Sequence, residues 1–250
     1  MDKRLQRIVF IEMLGVFGLV LFSAGLVCVS QMTVPEGNTG AAPQTLQQPG
    51  VLGIALGQGL ILAALLALTA PVTGGYLNPA VTLMLWVFNR IETGRAAWLI
   101  GAQLLGSVLA AISLYFIFDP KLLTEAHFGA PHINHRAYRA TEQMMQFTGA
   151  VLELLLTFFL VSAMFGLTDG EALKLGMVAG MIATVCTLFG LSLTGAALNP
   201  ARWLGPTLLE SLYSTRAAWS DSLVYLAGPI LGALLGGFFV FKVYQPTATK

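Results

Sequence analysis

The chain has 250 residues, 56% of them hydrophobic and only 10% charged, with a formal net charge of +1 and a mean hydropathy of +0.77. Soluble domains carry about a quarter charged residues, so the composition excludes an ordinary soluble protein and points to a chain that crosses a membrane repeatedly. No basic run or patch suggests a nucleic-acid partner, and Cys28 and Cys186, both inside apolar stretches, offer neither a disulfide framework nor metal-site spacing.

The chain opens with Lys3, Arg4 and Arg7 ahead of a long apolar run. That run exceeds the roughly 7–15 residues of a signal peptide's apolar core and is interrupted by Glu12, so it reads as a retained first span. Crossing a hydrocarbon layer takes about 20 apolar residues. Six stretches qualify: 9–30, 51–70, 96–118, 147–167, 172–193 and 222–243. The segment 31–50, with "PEGNTGAAPQ", is expected to be a flexible external loop. Two further apolar pieces, 78–88 and 199–211, are too short to cross, and both begin with Asn-Pro. The polar connection 119–146 carries His127, His132 and His135 and is expected to be a solvated external loop, its "HINH" spacing too weak a signal for a metal site.

Lysine and arginine placement sets the orientation. Lys3, Arg4, Arg7, Arg90, Arg95, Lys174, Lys242 and Lys250 fall at one set of ends, and Lys121, Arg136, Arg139 and Arg216 at the other. Both termini are therefore expected in the cytoplasm.

An internal repeat organises these pieces. "TGGYLNPAV" (73–81) pairs with "TGAALNPAR" (194–202), "EMLGVFGLV" (12–20) with "ELLLTFFLV" (153–161), and "IGAQLLG" (100–106) with "LAGPILG" (226–232). The chain thus reads as one channel domain, 1–250, made of two repeats at about 1–118 and 147–250 joined by the loop 119–146. Three spans per repeat force the two halves into opposite orientations, and paired interrupted helices in such inverted repeats mark a substrate path.

The physical chemistry of Asn-Pro explains the interruption. Asn is a favoured helix N-cap, and Pro suits the first helical position, where its missing N–H costs nothing. Asn78-Pro79 and Asn199-Pro200 should therefore each start a half-helix whose N-terminus, carrying about +0.5 of a charge, points at the membrane midplane. Two such ends facing a water path repel cations, while the asparagine carboxamides can donate to a passing neutral oxygen. Arg202, three residues after Asn199, has Val81 as its counterpart, so its charge belongs to one side only. A buried arginine needs a cavity or a partner, which places it at the outer entrance as a second cation barrier. Glu12 and Glu153 occupy equivalent places in the two repeats and are expected to accept hydrogen bonds from the re-entrant loops.

The two "NPA" motifs, the "NPAR" of the second, the paired glutamate spans and the run "TGAALNPARWLGP" resemble the aquaporin / major intrinsic protein family over nearly the whole chain. The resemblance implies an all-α membrane fold of six tilted helices plus two half-helices, a pore in each subunit, and a homotetramer. It places the signature sites at Asn78, Pro79, Ala80, Asn199, Pro200, Ala201 and Arg202. Counting from the two asparagines, the outer constriction falls at Gln58, Thr187, Ala196 and Arg202. Thr187 and Ala196 are small, and Gln58 is polar where relatives present an aromatic, which implies an open, hydrophilic filter for water and small uncharged solutes such as glycerol or urea. Tyr76, Trp203 and Leu226 depart from the usual water-channel residues and bring the chain closer to plant Nod26-like or archaeal members. A water-selective channel, a coupled secondary transporter and a junction or scaffold protein are the alternative readings. No nucleophile–base pair, metal-ligand cluster or phosphate loop suggests an enzyme, and no cofactor is expected.

Overall fold

A computed structural model describes residues 2–31, 49–137, 141–167, 171–214 and 219–244. Most of the expected 31–50 loop lies outside the described residues, as do Arg139, Arg216 and Lys250. Among the described residues the fold is all helical. Six long helices match the expected spans: α1 (Lys3–Ser30), α2 (Gly50–Thr73), α4 (Thr93–Ile117), α6 (Glu142–Phe165), α7 (Ala172–Thr194) and α9 (Ser222–Phe238), the last continuing in wider π turns through Phe239–Tyr244. Between them stand the half-helices α3 (Pro79–Val87) and α8 (Pro200–Tyr213), and a short helix α5 (Pro120–Glu125).

Each half-helix is fixed at both ends of its loop by local chemistry. The full helices α2 and α7 stop at Gly74 and Gly195, whose φ of 102° and 80° lie in the left-handed region that glycine enters freely. Four residues later Asn78 and Asn199 adopt nearly identical extended conformations, with φ of −155° and −153°, and start α3 and α8 with proline in the first turn.

Helix packing treats the two halves alike. Helix α1 lies on α4 as α6 lies on α9, α1 meets α2 as α6 meets α7, and α3 packs on α9 as α8 packs on α4. The pairs α2–α7 and α3–α8 join the halves directly. Exchanging α1–α4 for α6–α9 leaves this set of pairings unchanged. Close approach at the centre needs two equivalent glycines, Gly59 on α2 and Gly180 on α7: a Cβ on either would stand 2.5 Å from the other's carbonyl oxygen. The apolar core runs along this centre and includes Val16, Leu62, Leu77, Leu160, Leu198 and Ala201.

The outside is as apolar as the inside. Phe10, Phe22, Leu60, Leu68, Phe116, Phe147, Phe159 and Phe189 are all more than half exposed. Helices that bury one face and present large apolar side chains on the other are solvated by lipid rather than water.

The connection 119–146 departs from the expected solvated loop. Helix α5 and the 3₁₀ turn His127–Gly129 fold back onto the bundle, and Leu123 and Phe128 are buried with Ala24, Cys28 and Leu209. Leu123 and Phe128 supply the apolar area that such docking requires, a signal masked by the polar residues around them.

Candidate functional site

The site is built from two loops that mirror one another. Glu12, fully buried on α1, accepts hydrogen bonds from the Thr73 hydroxyl (2.5 Å) and the backbone N–H groups of Tyr76 (3.1 Å) and Leu77 (2.8 Å). Glu153, fully buried on α6, accepts from the Thr194 hydroxyl (2.7 Å) and the N–H groups of Ala197 and Leu198 (both 2.9 Å). Leu77 and Leu198 have φ of 48° and 54°, a left-handed conformation that costs a non-glycine residue roughly 1–2 kcal/mol. The hydrogen bonds that each glutamate accepts from its loop hold the backbone in that conformation.

The strain turns the carbonyls of Leu77 and Leu198 toward the opposite loop. The Asn78 carboxamide donates to Leu198 O and the Asn199 carboxamide to Leu77 O, both at 2.9 Å. Each asparagine also caps its own half-helix, accepting from Ala80 N and Ala201 N at 2.9 Å. Pro79, Ala80, Pro200 and Ala201 form the two facing first turns and are buried. One of the two carboxamide hydrogens on each asparagine is thus committed across the dyad, and the second is left for a molecule in the cavity that both asparagines line.

Two polar residues one turn apart on α4, Gln103 and Ser107, hold both half-helices, and neither stands out in the sequence. Gln103 donates to Glu12 (2.8 Å) and Thr82 (3.0 Å), which ties down α3. The Ser107 hydroxyl donates to Ala201 O and accepts from Gly205 N, which ties down α8. A polar pair at four-residue spacing inside an otherwise apolar span is the signal that marks them. Tyr225, fully buried on α9, likewise donates to Thr194 O at 2.7 Å.

The four positions counted for the constriction are all buried. Gln58 on α2 reaches the loop, its carboxamide nitrogen 3.4 Å from Ala196 O. Ala196 sits at φ 47° beside Gly190 of α7. Arg202, in the first turn of α8, lines the central cavity together with Gln58, Asn78 and Asn199, and also lines a second, more open cavity beyond it. Its guanidinium therefore stands between the two cavities, 3% exposed, and does not snorkel to the surface. Thr187 on α7 is fully buried. Among the described residues eight buried side-chain atoms lack a protein hydrogen-bond partner, and four of them are Gln58 Oε1, Thr187 Oγ1 and Arg202 Nε and Nη1. Gln58 and Arg202 come together at the central cavity, whereas Thr187 and Ala196 are not among the residues that line it.

The histidines correct the expectation of an incidental loop. His127 Nδ1 lies 2.6 Å from Glu210 Oε1 and His132 Nε2 lies 2.9 Å from Glu210 Oε2, at the far end of α8. Glu210 is fully buried, a further carboxylate inside the bundle that is inconspicuous in the sequence because its partners come from about 80 residues away. His135 is exposed. Cys28 and Cys186 are buried free thiols that pack within the bundle.

A bundle of six membrane-crossing helices, with two half-helices meeting end to end at a cavity where Asn78, Asn199 and Arg202 stand among mostly apolar side chains, defines a transmembrane channel. The profile described as "Major intrinsic protein" matches residues 2–240, and the chain belongs to that family. Similar curated proteins include aquaporin NIP4-1 of Arabidopsis thaliana, 32% identical over 91% of this chain and 71% of its own, and human aquaporin-5, 34% identical over 80% and 72%. Among solved structures, the aquaglyceroporin from Plasmodium falciparum superposes with a TM-score of 0.78 over 97% of this chain and 98% of its own, at 25% identity. The chain is accordingly a membrane channel and not an enzyme.

Proposed function

We propose that the chain is a passive pore for water and small neutral polar solutes such as glycerol or urea, closed to ions and protons. The observation that carries this reading is the crossed pair of asparagines at a cavity also lined by Arg202. Two helix N-termini, each worth about half a positive charge, face that cavity, so a cation entering it loses hydration and meets like charge. A neutral hydroxylated molecule meets a donor set instead. In this reading Gln58, Thr187, Ala196 and Arg202 form the filter, and the partnerless polar atoms of Gln58 and Arg202, which line the cavity, are the groups a permeating molecule hydrogen-bonds.

A water-only pore has one observation in its favour. Gln58 extends toward Ala196 O and so takes up part of the aperture that small residues would leave open. Stopped-flow light scattering on proteoliposomes separates the two readings. The wide reading expects accelerated water, glycerol and urea flux over empty vesicles; water flux with glycerol and urea both excluded would overturn it.

The finer assignments rest on the same reading. One channel domain spans 1–250 as two inverted repeats, the termini are cytoplasmic by lysine and arginine placement, and the outer cavity faces outside. The family resemblance supports a homotetramer in the cell membrane, which cross-linking in native bilayers tests: a ladder ending at four chains is expected, and a monomer alone would contradict it.

A further inference from the structure

The cluster of Glu210, His127 and His132 is not used by permeation as described above. It brings two imidazole nitrogens and a carboxylate, the donor types that borderline divalent cations prefer, onto one side of the bundle. His127 Nδ1, His132 Nε2 and a Glu210 oxygen all lie within 4.8 Å of one another, and the two rings stand 4.5 Å apart. Around a tetrahedral zinc ion with bonds of about 2.0–2.1 Å, such ligand atoms are about 3.3 Å apart, so the 2.6 and 2.9 Å contacts of the imidazoles with the carboxylate need only widen slightly to admit the ion. The carboxylate is fully buried at the end of α8, while His127 is half exposed and His132 partly exposed, which leaves a path for an ion from solvent.

Position gives the cluster a consequence. Both histidines line the open cavity of about 370 Å³ whose wall also includes Gly195 and Arg202. That cavity adjoins the central one through Arg202.

We propose that His127, His132 and Glu210 form a binding site for a divalent transition-metal ion of the zinc, copper or nickel class, and that an ion held there slows permeation. The ion replaces the two N–H···O bonds to Glu210: each imidazole presents a lone pair at the nitrogen that had donated and carries its proton on the other ring nitrogen. The fourth position stays open to solvent, toward the cavity. A bound dication adds charge and bulk beside Arg202, at the entrance a solute must pass. The slowing rests on the reading of this cavity as the outer mouth; the binding does not.

The test uses zinc alone with purified full-length protein free of affinity tags. Equilibrium dialysis at neutral pH is expected to show one zinc per chain. Affinity should fall at least tenfold in His127→Gln and in His132→Gln and stay unchanged in His135→Gln. Equal zinc binding by the wild type and by the His127→Gln/His132→Gln double variant would overturn the site. In proteoliposomes, external zinc should slow wild-type water flux several-fold, reversibly with chelator, and leave the double variant's flux unaffected. Zinc that binds without slowing flux would overturn the placement at the mouth. Absence of any flux, with or without metal, would count against the channel reading, and dialysis would still decide the site.

Discussion

The two halves of the molecule are alike where they build the path and unlike where they meet what passes through it. Thr73, Tyr76 and Leu77 bind Glu12 as Thr194, Ala197 and Leu198 bind Glu153, and the two asparagines exchange donors at the same 2.9 Å. The differences are few. Arg202 stands opposite Val81, Gln103 braces Glu12 where the second half has Pro229, and the far end of α8 carries Glu210 clamped by two histidines. Symmetry serves the fold because a dyad satisfies buried loop backbone in both leaflets with one solution. In the proposed pore asymmetry serves selection, because a filter at the midplane alone would present the same face to both sides.

The largest expected effect comes from breaking the shared part. Replacing Glu12 by Gln leaves one acceptor oxygen for donors that held two, with Gln103 also losing its partner. A cost of about 3 kcal/mol is expected, since each buried donor left without an acceptor costs about 1–3 kcal/mol. Glu153→Gln should cost somewhat less, having three donors in place of four. Thermal inactivation followed by size-exclusion chromatography in detergent checks the order, and a harmless Glu12→Gln would remove the account of the loops.

Next is the crossing of α2 and α7. Gly59→Val and Gly180→Val should each destabilise by about 1–3 kcal/mol, because overpacking a close helix contact displaces backbone. The same assay should give the two variants similar losses, as their equivalent places require. A loss confined to one would mean that the halves do not share the contact as drawn.

Arg202→Val makes the second half resemble the first. Little stability should be lost, because the Arg202 Nε and Nη1 atoms have no protein partner. Proton and sodium leak through proteoliposomes should rise, read with an entrapped pH dye and with sodium flux. Unchanged leak would remove the arginine's proposed barrier role.

The smallest change concerns the filter. Gln58→Phe with Thr187→His should lower glycerol and urea flux relative to water by a few-fold, without loss of folded protein. An unchanged ratio would move the filter to other residues.

Much of the fold was legible in the sequence because its signals are local. Apolar runs of about 20 residues fixed six spans, and Asn-Pro at two corresponding points fixed the half-helices to within one or two residues. Glu12 and Glu153 stood out because each is a carboxylate in an apolar span with a twin. Glu210, Gln103 and Ser107 did not, since their partners lie on other helices or in a loop, and only packing brings them together. The buried part of 119–146 was hidden for a related reason: a few apolar residues in a polar stretch carry no periodicity. The proposed filter is the least legible element, because residue size is readable while the reach of Gln58 to Ala196 O depends on how α2 lies against the loop.

The proposed pore is passive and excludes ions through two facing half-helix ends. Its most direct test is solute entry into proteoliposomes with and without an imposed proton or sodium gradient. Entry that follows only the solute's own gradient, with no accompanying proton or sodium current, is the predicted result. Uptake that rises and reverses with the imposed ion gradient would contradict it and make the molecule a coupled transporter.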